Sequence, residues 1–163
     1  MSRLVLRFTA GFEAAYGYPP GEHCVLRSTD RKASESLAAA LGGSGAQDLI
    51  DFYAHVARIS LPDVGAGFFA DEVEDVIDGL RGTQPTRVSG VSERNVVVFG
   101  SEGGGALFAA DRQTGEIIRL EGGALVGSDY EVEGPGVAVI ARDFSEFMQF
   151  LQRELLKQIS SEG

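Results

Sequence analysis

The chain has 163 residues, 44% of them apolar, and its 24 acidic and 14 basic side chains give a net charge of −10. Its length fits a single domain over residues 1–163 that can bury a core, and its composition excludes a disordered or membrane-spanning chain. The negative charge and the dispersed basic residues argue against nucleic-acid and membrane surfaces and favour a basic partner. The apolar run in residues 1–10 is too short for a signal peptide, so we expect a cytoplasmic protein.

The first residues alternate between apolar and basic side chains, which is typical of an amphipathic strand. The apolar members of this alternation are Leu4, Leu6 and Phe8. Residues 11–21 are then rich in glycine, proline and tyrosine, as in a loop. We therefore predict that the chain begins with a strand followed by a loop.

Two helices are predicted between residues 29 and 61. Thr29 or Asp30 can cap the first helix, which ends near residue 41, before two glycines. Ser44 and Gln47 have the spacing of a capping box ahead of the second helix. The buried face of that helix is predicted from apolar residues at helical spacing: Leu49, Phe52, Tyr53, Val56 and Ile59. His55 falls on the opposite side and is expected to be a surface residue.

A third helix is predicted after residue 70, because Asp71 and Glu74 again have cap spacing. Its buried stripe would consist of Val73, Val76, Ile77 and Leu80. Five carboxylates would face water: Asp71, Glu72, Glu74, Asp75 and Asp78. This acidic face is either an ordinary solvated helix surface or a docking surface for a basic partner.

The most strongly patterned stretch, residues 95–120, predicts three antiparallel strands at Val96–Phe99, Ala106–Ala110 and Glu116–Leu120. A polar hairpin, DRQTG, joins the second strand to the third. The first two strands are apolar on both faces, so we place them in the middle of the sheet, covered on each side. Glu116 and Arg119 indicate that the third strand meets water.

The remaining elements are a short strand at residues 87–88, a hairpin formed by residues 130–132 and 137–140, and a final helix. The turn of the hairpin would be Gly134, Pro135 and Gly136. Asp143 can cap the final helix with Glu146 in the box position. The buried stripe of this helix would be Phe144, Phe147, Met148, Leu151 and Leu155. The order of elements predicts an α+β fold with a mixed, mainly antiparallel sheet and about four helices.

The segment GSEGGG, residues 100–105, is the place to look for phosphate binding, but it fits neither common motif. Ala106 and Leu107 stand where a P-loop has Lys and Ser or Thr, and Phe108 stands where the dinucleotide motif has its third glycine. We interpret the glycines as a turn that needs positive φ and close approach of a neighbouring backbone. These structural glycines are Gly100, Gly103, Gly104 and Gly105. A nest of amides that binds an anion is the alternative.

Other chemical motifs give no site. Two histidines and one cysteine cannot close a tetrahedral zinc site without carboxylates, and Cys24 is expected to be a small core thiol. Residues 42–46 approach a nucleophile elbow but lie between two predicted helices rather than between a strand and a helix. With 24 acids, a carboxylate pair could be proposed almost anywhere. We therefore predict no catalytic residue, no metal and no cofactor.

Two segments of the chain resemble the SUKH superfamily, which is named after fungal regulators of cell-wall synthesis: NVVVFGSEGGGALFAADRQTGEIIRL and VAVIARDFSEFMQFLQREL. They share a strand, a glycine-rich turn with an acid, an apolar strand, a D-x-x-x-G hairpin, and an apolar strand that runs into a helix with phenylalanines. The upstream segment LPDVGAGFFADEVEDVIDGLRGTQPTRV is similar to one branch of that family. The resemblance covers roughly residues 49–155.

This resemblance implies an α+β domain without catalytic residues. Many bacterial members of the family are immunity proteins that bind and neutralise a toxin, often a nuclease. Our leading hypothesis is therefore a monomeric or homodimeric binding protein with a basic toxin as partner, contacted by the acidic face and by Ser101 and Glu102. A regulatory or scaffold domain that binds a protein or a small ligand through residues 100–105 is the alternative, and an enzyme with an unrecognised carboxylate site ranks last.

Overall fold

The structure, a computed structural model, describes residues 1–43, 45–133 and 135–161, and within them five helices and ten strands. The helices are α1 (Ser2–Tyr16), α2 (Lys32–Leu41), α3 (Gln47–Tyr53), α4 (Val73–Asp78) and α5 (Phe144–Ser161). The strands are β1 (Cys24–Arg27), β2 (Val56–Leu61), β3 (Phe68–Ala70), β4 (Arg87–Gly90), β5 (Arg94–Glu102), β6 (Leu107–Asp111), β7 (Ile117–Leu120), β8 (Ala124–Val126), β9 (Asp129–Val132) and β10 (Val137–Ala141). The predicted α+β class is confirmed.

The sheet has two branches that meet at β5. The antiparallel branch runs β1-β2-β3-β5-β6-β7-β10. The other branch leaves the first half of β5, where Arg94 and Asn95 pair with β4, and continues through β9 to β8. Only the β4–β9 pairing is parallel among the described strands. The sheet is therefore mixed and mainly antiparallel, as predicted.

The central strands bury both of their faces. Val97 and Phe99 of β5 and Phe108 of β6 join the core under the helices. Val96 and Val98 of β5 point the other way, into a second core that the branch of β4, β9 and β8 covers. That second core is completed by Val88, Ala109, Ile118, Leu120, Tyr130 and Val132. The prediction that the first two strands of the central stretch are covered on each side is confirmed.

Strand β7 differs from its prediction. It pairs with both β6 and β10, and Ile117, Ile118 and Leu120 are fully buried. The two polar side chains of the prediction are partly exposed and form ion pairs: Glu116 with Arg94, and Arg119 with Glu102. The expectation that the strand meets water therefore holds for these two side chains only, because the rest of the strand is buried in the core.

The glycine turn between β5 and β6 has the role that the sequence predicted. A side chain at Gly100 would place its Cβ 2.1 Å from the carbonyl oxygen of Phe69, and one at Gly103 would place it 2.3 Å from that of Ala66. Gly105 has φ of 93°, in the region that favours glycine. Close backbone approach and positive φ therefore account for three of the four predicted structural glycines, while Gly104 is unconstrained by neighbours.

The start of the chain is a helix and not the predicted strand. Helix α1 buries Val5, Phe8 and Phe12, whose spacing follows the helical repeat, and it leaves Leu6 68% exposed. It continues through Gly11 and ends at Gly17, which is left-handed. The predicted loop over residues 11–21 therefore begins six residues later than expected, because the apolar residues fit both a period of two and a period near four.

The second predicted helix is shorter than expected. Helix α3 ends at Tyr53, and Val56 and Ile59 belong to strand β2, where they pair with Arg27 and Val25 of β1. Gln47 is the first residue of α3 rather than its third, so it does not complete a capping box, and Ser44 lies outside the described residues. The apolar stripe misled the prediction because buried β2 residues continue the helical spacing across the junction.

The predicted hairpin near the end of the chain forms two strands that do not pair with each other. Strand β9 pairs with β4 and β8, whereas β10 crosses to the antiparallel branch and pairs with β7. The first residue of the predicted turn, Gly134, lies outside the described residues. The pairing was wrong because each strand finds its partner far away in the sequence, and local turn signals cannot reveal that partner.

Helix α5 follows its predicted cap, whereas the N-cap of α2 is Arg31 rather than the predicted Thr29 or Asp30. Asp30 Oδ1 accepts the amide of Lys32 at the start of α2, and Gly42 ends that helix in the left-handed region. Asp143 Oδ1 accepts the amide of Glu146 at the start of α5, at 2.7 Å. Helix α5 then buries Phe144, Phe147, Leu151 and Leu155, as predicted.

Within the described ranges, no helix is long and apolar enough to cross a bilayer.

Candidate functional site

The acidic face, made of Asp71, Glu72, Glu74, Asp75 and Asp78, lies on and just before α4. The chain leaves the sheet at the end of β3, where the amide of Asp71 donates to the carbonyl oxygen of Phe99 at 2.8 Å. Val73 and Val76 then anchor α4 in the core. The predicted Asp71 cap is wrong, because Glu72 occupies the N-cap position and no side chain caps this helix. A π-helical turn, Gly79–Thr83, follows the helix.

The carboxylates of this face differ in how well they are neutralised. Glu72 is 4.0 Å from Arg58, and Asp78 is 2.9 Å from Arg81, with all four side chains at least half exposed. Glu74 and Asp75 are exposed and form no ion pair with any described residue. Pairs between exposed side chains contribute little to stability, so the face keeps a large uncompensated negative charge.

Asp71 is the half-buried member of the acidic face. Burial raises the pKa of its carboxyl group above the usual range, and the nearby charge of Asp75 raises it further, while Arg58 acts in the opposite direction. The buried hydroxyl of Tyr53 donates to the Asp71 carbonyl oxygen at 2.7 Å and so fixes the backbone at this point. Burial is also the main reason that the pKa of Tyr53 is raised, and the charges of Asp71 and Asp75 raise it further. Burial is the main cause of both shifts, and the neighbouring carboxylate of Asp75 adds to each of them.

Tyr53 is a positioning residue whose hydroxyl the sequence analysis missed. The helical spacing of the apolar residues predicted that Tyr53 belongs to the buried face of α3, and its side chain is fully buried. A buried tyrosine usually finds a hydrogen-bond partner, which was the available signal. The partner itself, 18 residues further along the chain, depends on the tertiary structure.

Ser101 and Glu102, the other predicted contacts, lie opposite Phe69 and Phe68 at the end of β3 that is far from α4. The Glu102 carboxylate accepts from Arg119 at 2.8 Å, and its side chain is only 9% exposed. The hydrogen bond to Glu102 is the main reason that the pKa of Arg119 is raised. The structure therefore uses Glu102 within the fold and does not bring it onto the acidic face.

The glycine turn uses several of its amides internally. Gly103 N donates to Gly67 O at 3.1 Å, Gly105 N to Glu102 O at 3.0 Å, and Glu102 N to Ala106 O at 2.8 Å. An anion-binding nest needs successive amides that point at the ligand. These three donors are directed at protein carbonyl groups instead, which weighs against the nest alternative.

A buried pair of titratable groups lies elsewhere, between the segment before β1 and the turn after β2. His23 Nε2 is 2.8 Å from Asp63 Oδ2, and the histidine side chain is completely buried. The same oxygen accepts the amide of Gly21 at 2.7 Å. These contacts hold the two segments together, and no local sequence pattern reveals them because the paired residues are 40 positions apart. Cys24 is partly buried in β1, opposite Ser60.

Within the part of the chain that the structure describes, no group of three or more His, Cys, Asp or Glu side chains is arranged to hold a metal ion. Comparison of the chain with family models, with curated proteins and with solved structures found no match. The acidic face is therefore assessed on its own geometry and charge. Its exposed carboxylates lie on a helix that the core holds in place, and this arrangement can bind a cationic surface.

Proposed function

We propose that the chain is a SUKH-like immunity protein that neutralises a basic toxin by covering the toxin's active site with the acidic face. The observation that carries this proposal is the pair Glu74 and Asp75. Both carboxylates are exposed and without ion-pair partners among the described residues, and they stand beside Asp71, whose pKa is already raised. A nuclease that grips phosphate is basic and would complement this surface.

The charge distribution supports binding through electrostatic complementarity. The net charge of −10 draws a basic partner towards the molecule from a distance and accelerates association at low salt. At contact, lysine or arginine side chains of the partner would neutralise Glu74 and Asp75 and lower the repulsion between Asp75 and Asp71. Helix α4 is pinned by Val73 and Val76, so little ordering of the binding surface is required.

The test uses the product of the neighbouring gene as the candidate toxin, with binding measured by isothermal titration calorimetry and protection measured by co-expression. We expect Glu74→Lys combined with Asp75→Lys to weaken binding by about a hundredfold or more, because close charge pairs across an interface couple by about 1.5–7 kcal/mol. The weakening should shrink as salt is added, since salt screens exposed charges.

The matched control is Glu13→Lys combined with Glu133→Lys, which changes the net charge equally at two exposed sites away from α4. Equal weakening by the control and the α4 variant would show that only the overall charge matters and would contradict the acidic face as the contact. Absence of both binding and protection for the unaltered chain would contradict the immunity function itself.

A further inference from the structure

A groove of about 620 Å³ lies on a part of the molecule that the proposed function does not use. Its walls are formed by four parts of the chain: the start of α1, strand β1, the junction between α3 and β2, and helix α5. The apolar part of its lining consists of Met1, Val25, Ala54, Val56 and Met148. The volume is in the range of sites that bind small organic ligands, about 300–1,000 Å³.

The charged part of this lining is entirely basic. Arg3 and Arg27 supply it, and none of the ten described residues that line the groove is acidic, although the chain has 24 acidic side chains. The ion pairs among the described residues include neither Arg3 nor Arg27. His55 Nδ1 donates to the Asp51 carbonyl oxygen at 2.9 Å, so Nε2 is the nitrogen left for a ligand.

From this arrangement we propose that the groove binds an aliphatic monocarboxylate, with its chain on the apolar lining and its carboxylate between Arg3 and Arg27. A guanidinium group matches a carboxylate with two parallel hydrogen bonds, and such charge-assisted bonds are the strong ones. Methionine side chains, here Met1 and Met148, adapt to a flexible chain. The lining offers no aromatic side chain except His55 for a flat ligand to stack on, which is why the proposal specifies an aliphatic body.

The groove shares no lining residue with the acidic face and is opposite in charge, so this inference does not depend on the proposed function. A toxin could bind α4 whether or not the groove holds a ligand. Conversely, a carboxylate bound in the groove needs no protein partner. The two proposals can therefore fail independently.

The direct test is calorimetric titration of the purified chain with octanoate, octanol and acetate. We expect saturable one-to-one binding of octanoate, with octanol and acetate each at least about tenfold weaker, because octanol lacks the charge and acetate lacks the chain. Equal binding of octanol would contradict the role of the arginines. Equal binding of acetate would contradict the apolar lining, and absence of octanoate binding would overturn the proposal.

Variants then locate the site. Arg3→Gln and Arg27→Gln should each weaken octanoate binding by about tenfold, whereas Arg153→Gln, an exposed arginine of α5 outside the groove, should leave it unchanged. Ala54→Leu should also weaken binding by filling the groove without changing its charge. Thermal unfolding of each variant confirms that it is folded. Unchanged binding in all three groove variants, or the same loss in Arg153→Gln, would contradict the assignment.

Discussion

The acidic face and the groove are neighbouring surfaces of opposite charge on the same chain. Arg27 and Ser28 line the groove and also line a smaller cavity of about 200 Å³, whose other wall includes Glu72 and Glu74 of the acidic face. Arg27 forms no ion pair with either carboxylate. The net charge of −10 therefore says little about the local field, which changes sign over the width of a short loop.

The two regions also differ in how the core supports them. The acidic face depends on Val73, Val76 and the Tyr53 hydroxyl, all of them buried. The groove has a lining of half-buried side chains, such as Val25, Val56 and Met148, at the margin of the same core. The acidic face therefore lies on an element whose valine side chains are buried, whereas the groove is lined by side chains that the core covers only in part.

The largest expected effect comes from removing the core that both regions share. Phe99 packs against the rings of Phe52 in α3 and of Phe144 and Phe147 in α5, and its carbonyl oxygen holds Asp71. Phe99→Ala should lower the free energy of unfolding by about 3–5 kcal/mol in urea titrations. The exposed Leu6→Ala is the control and should change it by less than about 0.5 kcal/mol. A loss below about 1 kcal/mol for Phe99→Ala would contradict a shared core.

A smaller effect separates paired from unpaired arginines. Arg119→Gln should lower the free energy of unfolding by about 1–3 kcal/mol, because it leaves the nearly buried Glu102 without its partner. Arg27→Gln should change it by less than about 0.5 kcal/mol, since Arg27 has no such partner among the described residues. Urea unfolding of both variants is the measurement. Equal losses would mean that Arg27 has a structural role and would weaken its assignment to ligand binding.

The smallest effect is the pH dependence of stability that Asp71 of the acidic face causes. Because burial and Asp75 raise the pKa of Asp71, the folded chain binds that proton more tightly than the unfolded chain. The contribution of Asp71 to stability is therefore greatest below its usual pKa and is lost as the pH rises through the raised one. Asp71→Asn should gain stability over the unaltered chain between about pH 4 and about pH 7, by less than about 1 kcal/mol because solvent screens a half-exposed group.

The measurement is urea unfolding at both pH values, with the exposed Glu133→Gln as control. The difference between Asp71→Asn and the unaltered chain should grow with pH, while that of the control should stay constant. A constant difference for Asp71→Asn would mean that the folded and unfolded chains bind this proton equally, and Asp71 would then lend no support to a site for a cationic partner.

Much of the fold could be predicted from the sequence because the signals are local. The cap at Asp143, the glycine after Leu41 and the turn at Gly100 to Gly105 specify the ends of elements through hydrogen bonds or backbone angles within a few residues. The part of the acidic face that lies on α4 could also be predicted, because the helical repeat that buries Val73 and Val76 leaves Glu74, Asp75 and Asp78 exposed. The spacing that identified α3 failed at its end, where β2 continues the same apolar pattern.

The sequence by itself determined the α+β class, the central strands and the charge of the acidic face. Only the tertiary structure decided that β9 joins β4, that β10 joins β7, and that Arg3 of α1 and Arg27 of β1 line the same groove. Local patterns depend on the helical repeat, strand alternation and backbone angles, which neighbouring residues specify. Strand partners and grooves depend on which distant surfaces bury apolar area together, and that is settled only when the whole chain packs.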